Sequence, residues 1–385
     1  MSLSVSSLLA LGHGVNDLFS NSLSGLLPII TGLFGLSYLL AGVVAMVFNV
    51  TSSIMQPLFG HWFDRSHIAW LMEAGLAVNC VGMSLLGFSS SYVLLLFFVG
   101  SAGLGTASFH PPAFSAVVKS DSSSPGKDMG IFLSAGNTGF FLGPFVAGAL
   151  GSAFGLRGMV LLLPVGLVVA VVLFKAKINP KKVEEKSSQQ RLHANKRILS
   201  ILASITALRS VTVQTAVTFL PLYFVAQGDS LLLATAIASI WLGVGVLGQL
   251  GGGYVSDRVG RRQIIVTSLL LGALLFYGFL LTNGLISIIL LALSGAALYA
   301  SWSVIVVMAS EAAPSNVGAV SGFMLGFYVG IGGIAALGFG ALADSLGLVA
   351  AFEIIAGFAL IGGFLALFLP KTSGSVTDLM YAESI

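Results

Sequence analysis

The sequence is poor in charged residues. Only 8% of its 385 residues are Asp, Glu, Lys or Arg, 56% are hydrophobic, and the mean hydropathy is +1.01. Soluble domains contain roughly 25% charged residues, so a water-exposed surface cannot be built from this composition. Lipid must therefore surround most of the chain, and a soluble multi-domain protein is excluded.

Cysteine is almost absent as well. The single residue, Cys80, excludes internal disulfides and Cys-rich metal sites. No Lys or Arg precedes the first apolar run, which itself contains Asn16 and Asp17, so we do not expect a cleaved signal peptide. His-Glu-x-x-His and Gly-x-Ser-x-Gly motifs do not occur. We therefore expect no membrane-embedded enzyme, no metal and no cofactor.

Long apolar segments are abundant. A helix needs about 20 residues to cross the hydrocarbon core, and backbone groups in lipid must be hydrogen-bonded within the segment. We predict an all-α membrane protein with twelve transmembrane helices. Their approximate bounds are 8–33, 37–60, 68–88, 92–118, 128–151, 156–175, 198–227, 231–255, 263–282, 285–310, 317–343 and 348–369.

The basic residues predict the orientation of these helices. Of the 17 Lys and Arg residues, all except Arg157 and Arg209 lie in the C-terminal tail or in loops on one side of the membrane. The positive-inside rule makes this side cytoplasmic. We expect a monomeric, multi-pass protein of the inner membrane with both termini in the cytoplasm. The net charge of +3 is then explained by topology, and nucleic-acid binding has no support.

The chain divides into two similar halves. "GHWFDR" (60–65) matches "GYVSDR" (253–258), and "GALGSAFGL" (148–156) matches "GALADSLGL" (340–348). Two similar bundles related in this way are typical of transporters that alternately expose a central cavity. We predict bundles at 1–175 and 198–370, a cytoplasmic linker at 176–197 and a cytoplasmic tail at 371–385.

The repeated loop resembles a signature of the major facilitator superfamily. "GYVSDRVGRR" is similar to the loop motif of that family, and the first half keeps a reduced copy. The resemblance implies two pseudo-symmetric six-helix bundles and a charged cytoplasmic gate. The candidate gating residues are Gly60, Asp64, Arg65, Gly253, Asp257, Arg258 and Arg261. A metal site at His61, Asp64 and His67 is the alternative, but the second copy lacks both histidines.

The fifth predicted helix contains a second motif. "GIFLSAGNTGFFLGPFVAG" (130–148) resembles the antiporter motif of the superfamily, except that Ala147 replaces a usual glycine. Its motif residues are Gly130, Gly139, Gly143, Pro144 and Gly148. Small residues spaced in this way also serve ordinary helix packing. In the family the motif accompanies proton-coupled export.

Polar side chains are predicted near the middle of the bilayer. At 1.5 Å per residue, Asp17, Asn137 and Arg209 lie roughly 14–17 Å into their helices, within a core ~30 Å thick. A charge at this depth costs about 3 kcal/mol or more unless it faces water or a partner. We expect Asp17 and Arg209 to be reachable from an aqueous cavity. Asp17 is the candidate carrier of a coupling proton, with a hydrogen-bonded structural role as the alternative. Arg209 is either its salt-bridge partner or a binding group for an anionic substrate.

Two histidines are expected at a similar depth to each other. His13 shares a helix face with Asp17 at i, i+4, and His110 precedes Pro111 and Pro112 in the fourth helix. Histidine titrates near neutral pH, so the pair can admit protons to Asp17. The alternative is a histidine that stabilises a proline kink.

The first half also resembles the fosmidomycin-resistance branch of the superfamily. The matching positions are His13, Asn16 and Asp17; Gln56, Pro57, Gly60 and Asp64; Phe109, His110 and Pro111; and Gly136, Asn137 and Gly139. Pro112 departs from the acidic residue that usually follows His-Pro.

The sequence therefore predicts a proton-coupled secondary transporter that exports a small organic compound or drug, with a phosphonate- or carboxylate-like anion as the candidate substrate. Its expected partners are the substrate, protons and the lipid bilayer. The candidate substrate-binding residues are Asn16, Asn49, Asn137, Arg209, Gln214, Trp241, Tyr299 and Tyr328. For the aromatic residues among them, helix packing is the more common explanation. The alternatives are a proton-coupled uptake symporter and a receptor that does not transport.

Overall fold

The computed structural model describes residues 4–66, 68, 70–118, 124–178 and 194–371. Twelve long helices lie in these ranges, which confirms the predicted all-α architecture. They are α1 (Val5–Phe34), α2 (Tyr38–Ser66), α3 (Leu71–Leu85), α4 (Tyr92–Val118), α5 (Pro125–Phe154), α6 (Leu163–Ala176), α7 (Lys196–Ala226), α8 (Leu231–Val259), α9 (Arg261–Leu281), α10 (Gly284–Glu311), α11 (Val317–Leu346) and α12 (Leu348–Leu365).

The helices differ in how apolar they are. Eleven of them, α2 to α12, are long and apolar enough to cross a membrane. Helix α1 has 30 residues, which is sufficient length, but it buries polar side chains that include His13, Asn16 and Asn21. Polar residues at membrane depth mark functional positions by default, so α1 is a candidate location for a functional site.

The contacts divide the chain into two compact units. The first contains residues 1–186 together with 218–239, and the second contains 187–217 together with 240–385. Helices α1 to α6 therefore belong to the first unit and α9 to α12 to the second, while α7 and α8 are each divided. The predicted bundle boundaries stay a prediction. Most of the predicted linker and tail lies outside the described residues.

Within the first unit, α1 and α5 pack with their backbones almost in contact. A Cβ atom at Gly139 would fall on the carbonyl oxygen of Gly14, and one at Gly25 would fall on the backbone of Pro144. A Cβ atom at Gly143 would lie 2.8 Å from the carbonyl oxygen of Leu18, which is also too close. Small residues permit this approach, and it fixes the polar face of α1 against α5.

Helix α4 lies on another side of α1 and continues through both of its internal prolines to Val118. Its contact with α3 again depends on glycine, because a Cβ at Gly75 would overlap Ser108 and one at Gly105 would overlap the backbone of Asn79. This packing brings the polar residues of α3 and α4 close to those of α1.

In the second unit, α8 packs closely on α10. A Cβ at Gly248 or Gly252 would collide with the carbonyl oxygens of Ala296 and Ala300, respectively. The turn into α9 is made by Gly260, whose φ of 107° is accessible to glycine at little cost. Gly260 is the single residue between the end of α8 at Val259 and the start of α9 at Arg261.

Candidate functional site

The polar face of α1 forms a three-residue cluster with α4. Asp17 Oδ2 lies 3.2 Å from His13 Nε2, and Asp17 Oδ1 lies 3.3 Å from His110 Nε2. The two imidazole rings meet edge to face, with centroids 5.3 Å apart. The structure therefore brings together the three residues that were predicted to handle protons.

Both histidines have a fixed tautomer. His13 Nδ1 lies 2.9 Å from the carbonyl oxygen of Phe132, and His110 Nδ1 lies 3.0 Å from that of Thr106. A carbonyl oxygen can only accept a hydrogen bond, so both Nδ1 atoms must donate. Each Nε2 atom is consequently directed at the carboxylate of Asp17.

Two asparagine side chains form a hydrogen-bonded chain that ends on Asp17. Asn16 Nδ2 donates to Asp17 Oδ1 at 3.1 Å, and Asn79 Nδ2 donates to Asn16 Oδ1 at 3.0 Å. Asn16 is fully buried. The sequence predicted that Asn16 contacts a substrate, but this position suits it better for orienting Asp17.

Helix α5 covers the cluster with Phe132, whose ring stacks on His13 at a centroid distance of 4.1 Å. A Cβ at Gly136 would fall on the His13 ring, so only glycine leaves room for the imidazole at this position. The motif residues Gly139, Gly143 and Pro144 pack against α1, and Gly148 packs against Thr235 of α8. Gly130 has open space beside it, so packing gives no reason for glycine there.

The cluster has the composition of a cation site. One ligand atom from each of His13, Asp17 and His110 can be chosen so that all three lie within 4.8 Å of one another. Two imidazoles and a carboxylate can bind a divalent transition metal, and they can also bind protons. Asp17 and His110 keep 18% and 17% of their side-chain surface exposed, whereas His13 keeps 6%. Asp17 and His110 are therefore the members of the cluster with open surface beside them.

The second unit holds Arg209 in a ring of aromatic side chains. Its Cζ lies 5.1 Å from the ring centroid of Tyr328, 5.3 Å from Trp302 and 5.5 Å from Tyr299. Its Nε donates to the carbonyl oxygen of Leu298 at 3.0 Å. We call Arg209 and these three rings the arginine box.

The donors at the tip of the arginine box lack acceptors. Arg209 Nη1, Arg209 Nη2 and Tyr299 Oη are buried and have no hydrogen-bond partner within the described part of the chain. Arg209 has 0% exposure. The expectation that Arg209 is reachable from water is therefore wrong for this structure, because the aromatic rings and their neighbours enclose it. Asp17 keeps 18% of its side-chain surface exposed, and its access to an aqueous cavity stays a prediction.

Other predicted substrate residues lie in different surroundings. Trp241 is fully buried and donates to Ser294 Oγ at 3.2 Å, so it contributes to the interior of the second unit rather than to a cavity wall. Gln214 packs against Gly332 of α11. Asn49 and Asn137 are half-buried. Of these residues, Trp241 contacts the arginine box, because its ring packs edge to face on that of Tyr299 at a centroid distance of 5.7 Å.

The second-half gate motif forms an ion network. Arg261 Nη1 lies 2.6 Å from Asp257 Oδ1, and Arg261 Nη2 lies 2.9 Å from Glu311 Oε1. Arg258 instead contacts Tyr254 of its own helix. A Cβ atom at Gly253 would lie 3.3 Å from Ser303 Oγ, which is a tight contact.

In the first half, Arg65 is exposed and Gly60 faces Pro111 at ordinary contact distance. The Asp64 side chain and residue 67 lie outside the described residues, so neither the first gate nor the alternative metal site at His61, Asp64 and His67 is described.

Sequence reasoning missed four residues of these sites, namely Asn79, Phe132, Trp302 and Glu311. Trp302 had a usable signal, since it follows Tyr299 by three positions on α10 and therefore lies on the same helix face. Glu311 also had one, as an acidic residue at the end of a helix that faces the basic loop. Asn79 and Phe132 had none, because their roles depend on which helices are neighbours.

Comparison with known proteins agrees with this architecture. The family model described as Major Facilitator Superfamily matches residues 9–337 and, in a second match, 202–379. The "Fosmidomycin resistance protein" of Escherichia coli (strain K12) is 27% identical over 376 residues, which cover 94% of this chain and 91% of the relative. The "Uncharacterized MFS-type transporter YfnC" of Bacillus subtilis (strain 168) is 29% identical over 372 residues, with coverages of 93% and 91%.

Solved structures show the same fold. A bacterial homologue of the human lysosomal transporter Spinster, in an inward-facing and occupied conformation, superposes with a TM-score of 0.84 at 17% identity, covering 94% of this chain and 95% of that one. The nucleoside transporter NupG gives a TM-score of 0.73 at 13% identity, with coverages of 95% and 98%. The chain belongs to the Major Facilitator Superfamily and is a multi-pass membrane transporter, not an enzyme.

Proposed function

We propose that this transporter exports a small organic anion or drug in exchange for protons, by alternating access of the bundles 1–175 and 198–370. The names of two relatives, the fosmidomycin resistance protein and a multidrug resistance protein of Dickeya zeae, support export. The bacterial relatives and the one-sided distribution of basic residues support an inner-membrane location with both termini in the cytoplasm.

One observation carries the coupling mechanism: each Nε2 atom of His13 and His110 faces an oxygen of Asp17. With both Nδ1 atoms donating to carbonyl oxygens, a neutral ring presents a lone pair at Nε2. A lone pair facing an ionised carboxylate is repulsive. Each of the two contacts therefore needs a proton, either on the ring nitrogen or on the carboxyl oxygen.

The proposed coupling mechanism implies a proton count for the cluster. With two neutral imidazole rings and an ionised carboxylate, neither contact has its proton. When both contacts have one, the cluster holds two protons more than in that state. Its net charge is then +1, and it becomes neutral after one proton leaves. A charge within the bilayer is costly. The loss or gain of this proton therefore changes the binding free energy of an anion in the same transport pathway. The partial exposure of Asp17 and His110 supplies the route for exchange with water.

The arginine box is our candidate for the anion. A guanidinium group binds carboxylate and phosphonate groups through two parallel hydrogen bonds, and Arg209 has both terminal nitrogens without an acceptor among the described residues. Tyr299 Oη adds a third donor. Aromatic rings around the cation favour a substrate with an apolar or planar body. A permanent pair between Arg209 and Asp17 is the competing role for this arginine.

The test uses everted membrane vesicles that have been acidified inside and contain a pH-sensitive dye. An antiporter releases lumenal protons when its substrate is added outside, so the lumen becomes more alkaline. Fosmidomycin and a panel of phosphonates and carboxylates serve as probes. We expect the wild-type chain to give this response and Asp17→Asn to reduce it to the background of empty vesicles, because the variant lacks the ionisable group that both histidines face.

The matched control is Asp344→Asn, which removes an exposed carboxylate at the end of α11 and should keep the full response. An unchanged response in Asp17→Asn would remove the cluster from the coupling mechanism. Accumulation of the probe in intact cells, without proton release from everted vesicles, would instead support the uptake symporter.

A further inference from the structure

The three ionisable side chains of the cluster are spaced as ligands of one metal ion. His13 Nε2 lies 3.2 Å from Asp17 Oδ2, and His110 Nε2 lies 3.3 Å from Asp17 Oδ1. Ligands bound to zinc at about 2.0–2.2 Å lie about 3.3 Å from one another at the corners of a tetrahedron. With the same bond lengths, two imidazole rings on one metal have centroids about 5 Å apart, and the two rings here have centroids 5.3 Å apart. These separations suit a single ion between α1 and α4.

The groups behind these side chains hold them in place. In both histidines the Nδ1 atom donates to a backbone carbonyl oxygen, which directs Nε2 toward Asp17. The carboxylate of Asp17 in turn accepts a hydrogen bond from Asn16 at 3.1 Å. Metal-bound histidines almost always donate their other ring N–H to a carbonyl or carboxylate group, and metal-bound carboxylates are hydrogen-bonded as well. The cluster therefore has the supporting hydrogen bonds that metal sites use.

The ligand types restrict which metals fit. Imidazole nitrogen suits Zn²⁺, Cu²⁺ and Ni²⁺, whereas Mg²⁺ and Ca²⁺ take shells of about six or more oxygen atoms. Asp17 and His110 keep 18% and 17% of their side-chain surface exposed, so a fourth ligand such as water has space beside them. Three protein ligands and one open position are typical of zinc sites that also bind water.

We propose that His13, Asp17 and His110 bind one divalent transition-metal ion of the zinc type, through Nε2 of each ring and through the carboxylate. No metal was expected from the sequence, because the two histidines lie on different helices, α1 and α4. A bound ion occupies the atoms that take protons at both contacts, so it stops proton exchange at the cluster. This consequence for transport rests on the proposed function, whereas the binding of the metal does not.

Metal binding is tested with the full-length protein in detergent, after removal of any polyhistidine tag and of bound metal by chelation. Co²⁺ is added first, because it absorbs visible light strongly in a tetrahedral site, and Zn²⁺ is then added to displace it. We expect one Co²⁺ per chain, displacement by one equivalent of Zn²⁺ and no displacement by a large excess of Mg²⁺. Absence of binding by the wild type, or displacement by Mg²⁺, would overturn the proposal.

Two variants assign the bound ion to the cluster. His110→Gln should weaken Zn²⁺ binding by about 100-fold or more, because loss of a supporting hydrogen bond alone costs about 10–100-fold and loss of a direct ligand costs more. His61→Gln, which changes an exposed histidine near the end of α2, is the matched control and should bind Zn²⁺ as the wild type does. Weaker binding in His61→Gln with unchanged binding in His110→Gln would place the ion elsewhere and contradict the proposal.

X-ray absorption of the zinc-loaded wild type needs no variant, so it decides the question even where a substitution prevents folding. We expect nitrogen and oxygen ligands that include two imidazoles, and a ligand shell without two imidazoles would rule out the site. Everted vesicles then test transport separately, because added Zn²⁺ should suppress probe-driven proton release by the wild type. If Zn²⁺ binds to the cluster but proton release continues, the metal site stands and the proposed proton exchange at the cluster fails.

Discussion

The ionisable centres of the two units differ in how their polar atoms are partnered. In the first unit, Asp17 accepts a hydrogen bond from Asn16 and faces both imidazoles, and it keeps 18% of its side-chain surface exposed. In the second unit, Arg209 is enclosed by aromatic rings and donates through its Nε, while both terminal nitrogens lack hydrogen-bond partners among the described residues. Both carboxylate oxygens of the first centre have polar partners, whereas the guanidinium of the second has unused donors.

This difference separates stability from function. A buried charge that is fully hydrogen-bonded contributes to the stability of the fold, and its removal leaves other groups unpaired. A buried charge with unused donors costs desolvation free energy that its contacts recover only in part, so replacing it by an apolar side chain is often neutral or stabilising. Substitutions at the two centres should therefore both stop transport but affect stability in opposite directions.

The largest effect is expected for Arg209→Met. Methionine has a similar length and no charge, and Ser301 Oγ already donates to the Leu298 carbonyl oxygen at 2.9 Å, so the substitution leaves that acceptor satisfied. We expect probe-driven proton release to fall to background while the unfolding temperature, measured by circular dichroism, stays equal to the wild type or rises. A marked fall in the unfolding temperature would show that the arginine box is a structural element.

Asp17→Asn should give the opposite stability result with a similar loss of transport. An asparagine amide cannot accept hydrogen bonds from both imidazole Nε2 atoms and from the Asn16 amide, as a carboxylate can. We therefore expect the free energy of unfolding to fall by about 1.5–3 kcal/mol, the range for hydrogen bonds to charged groups. Denaturant titration of the purified variant measures this change. If the variant were more stable than the wild type, the two centres would not differ in the way described.

The helices and the His13–Asp17–His110 cluster were predictable, because apolar length fixes the helices and distance along a helix fixes depth. The rotation of each helix was not, since almost every face is apolar. Trp241 was a candidate cavity residue with helix packing as the alternative, and its full burial agrees with packing. Gly130 was included in a packing motif, although nothing among the described residues packs on it. Asn79 and Phe132 were missed because their contacts with α1 depend on which helices are neighbours.

Gly136→Ala should disturb the first centre without changing any polar group. The added methyl would overlap the His13 ring, so the imidazole must move away from Asp17 or from the Phe132 carbonyl oxygen. We expect the transport rate to fall about tenfold, which corresponds to about 1.4 kcal/mol, with both ionisable groups still present. Gly130→Ala, on the same helix but in open space, is the control and should transport normally. Equal rates for the two variants would mean that the position of His13 does not matter.

The smallest effect is expected for Glu311→Gln. This substitution changes one ion-pair partner of Arg261, which lies in the same unit as Arg209. Arg261 is held by Glu311 on one side and by Asp257 and Ser256 on the other, so loss of one carboxylate leaves it hydrogen-bonded. Glu311 and Arg261 are only 13% and 10% exposed, so their pair is largely shielded from water, but the amide oxygen of glutamine can still accept a hydrogen bond from the guanidinium. We expect the unfolding free energy to fall by about 1 kcal/mol, the net contribution of one hydrogen bond, and the transport rate to change little, as measured beside Arg209→Met. A loss of transport comparable to that of Arg209→Met would show that Arg261 depends on Glu311 for gating. The presence of ion-pair partners would then not be sufficient to distinguish a structural arginine from a functional one.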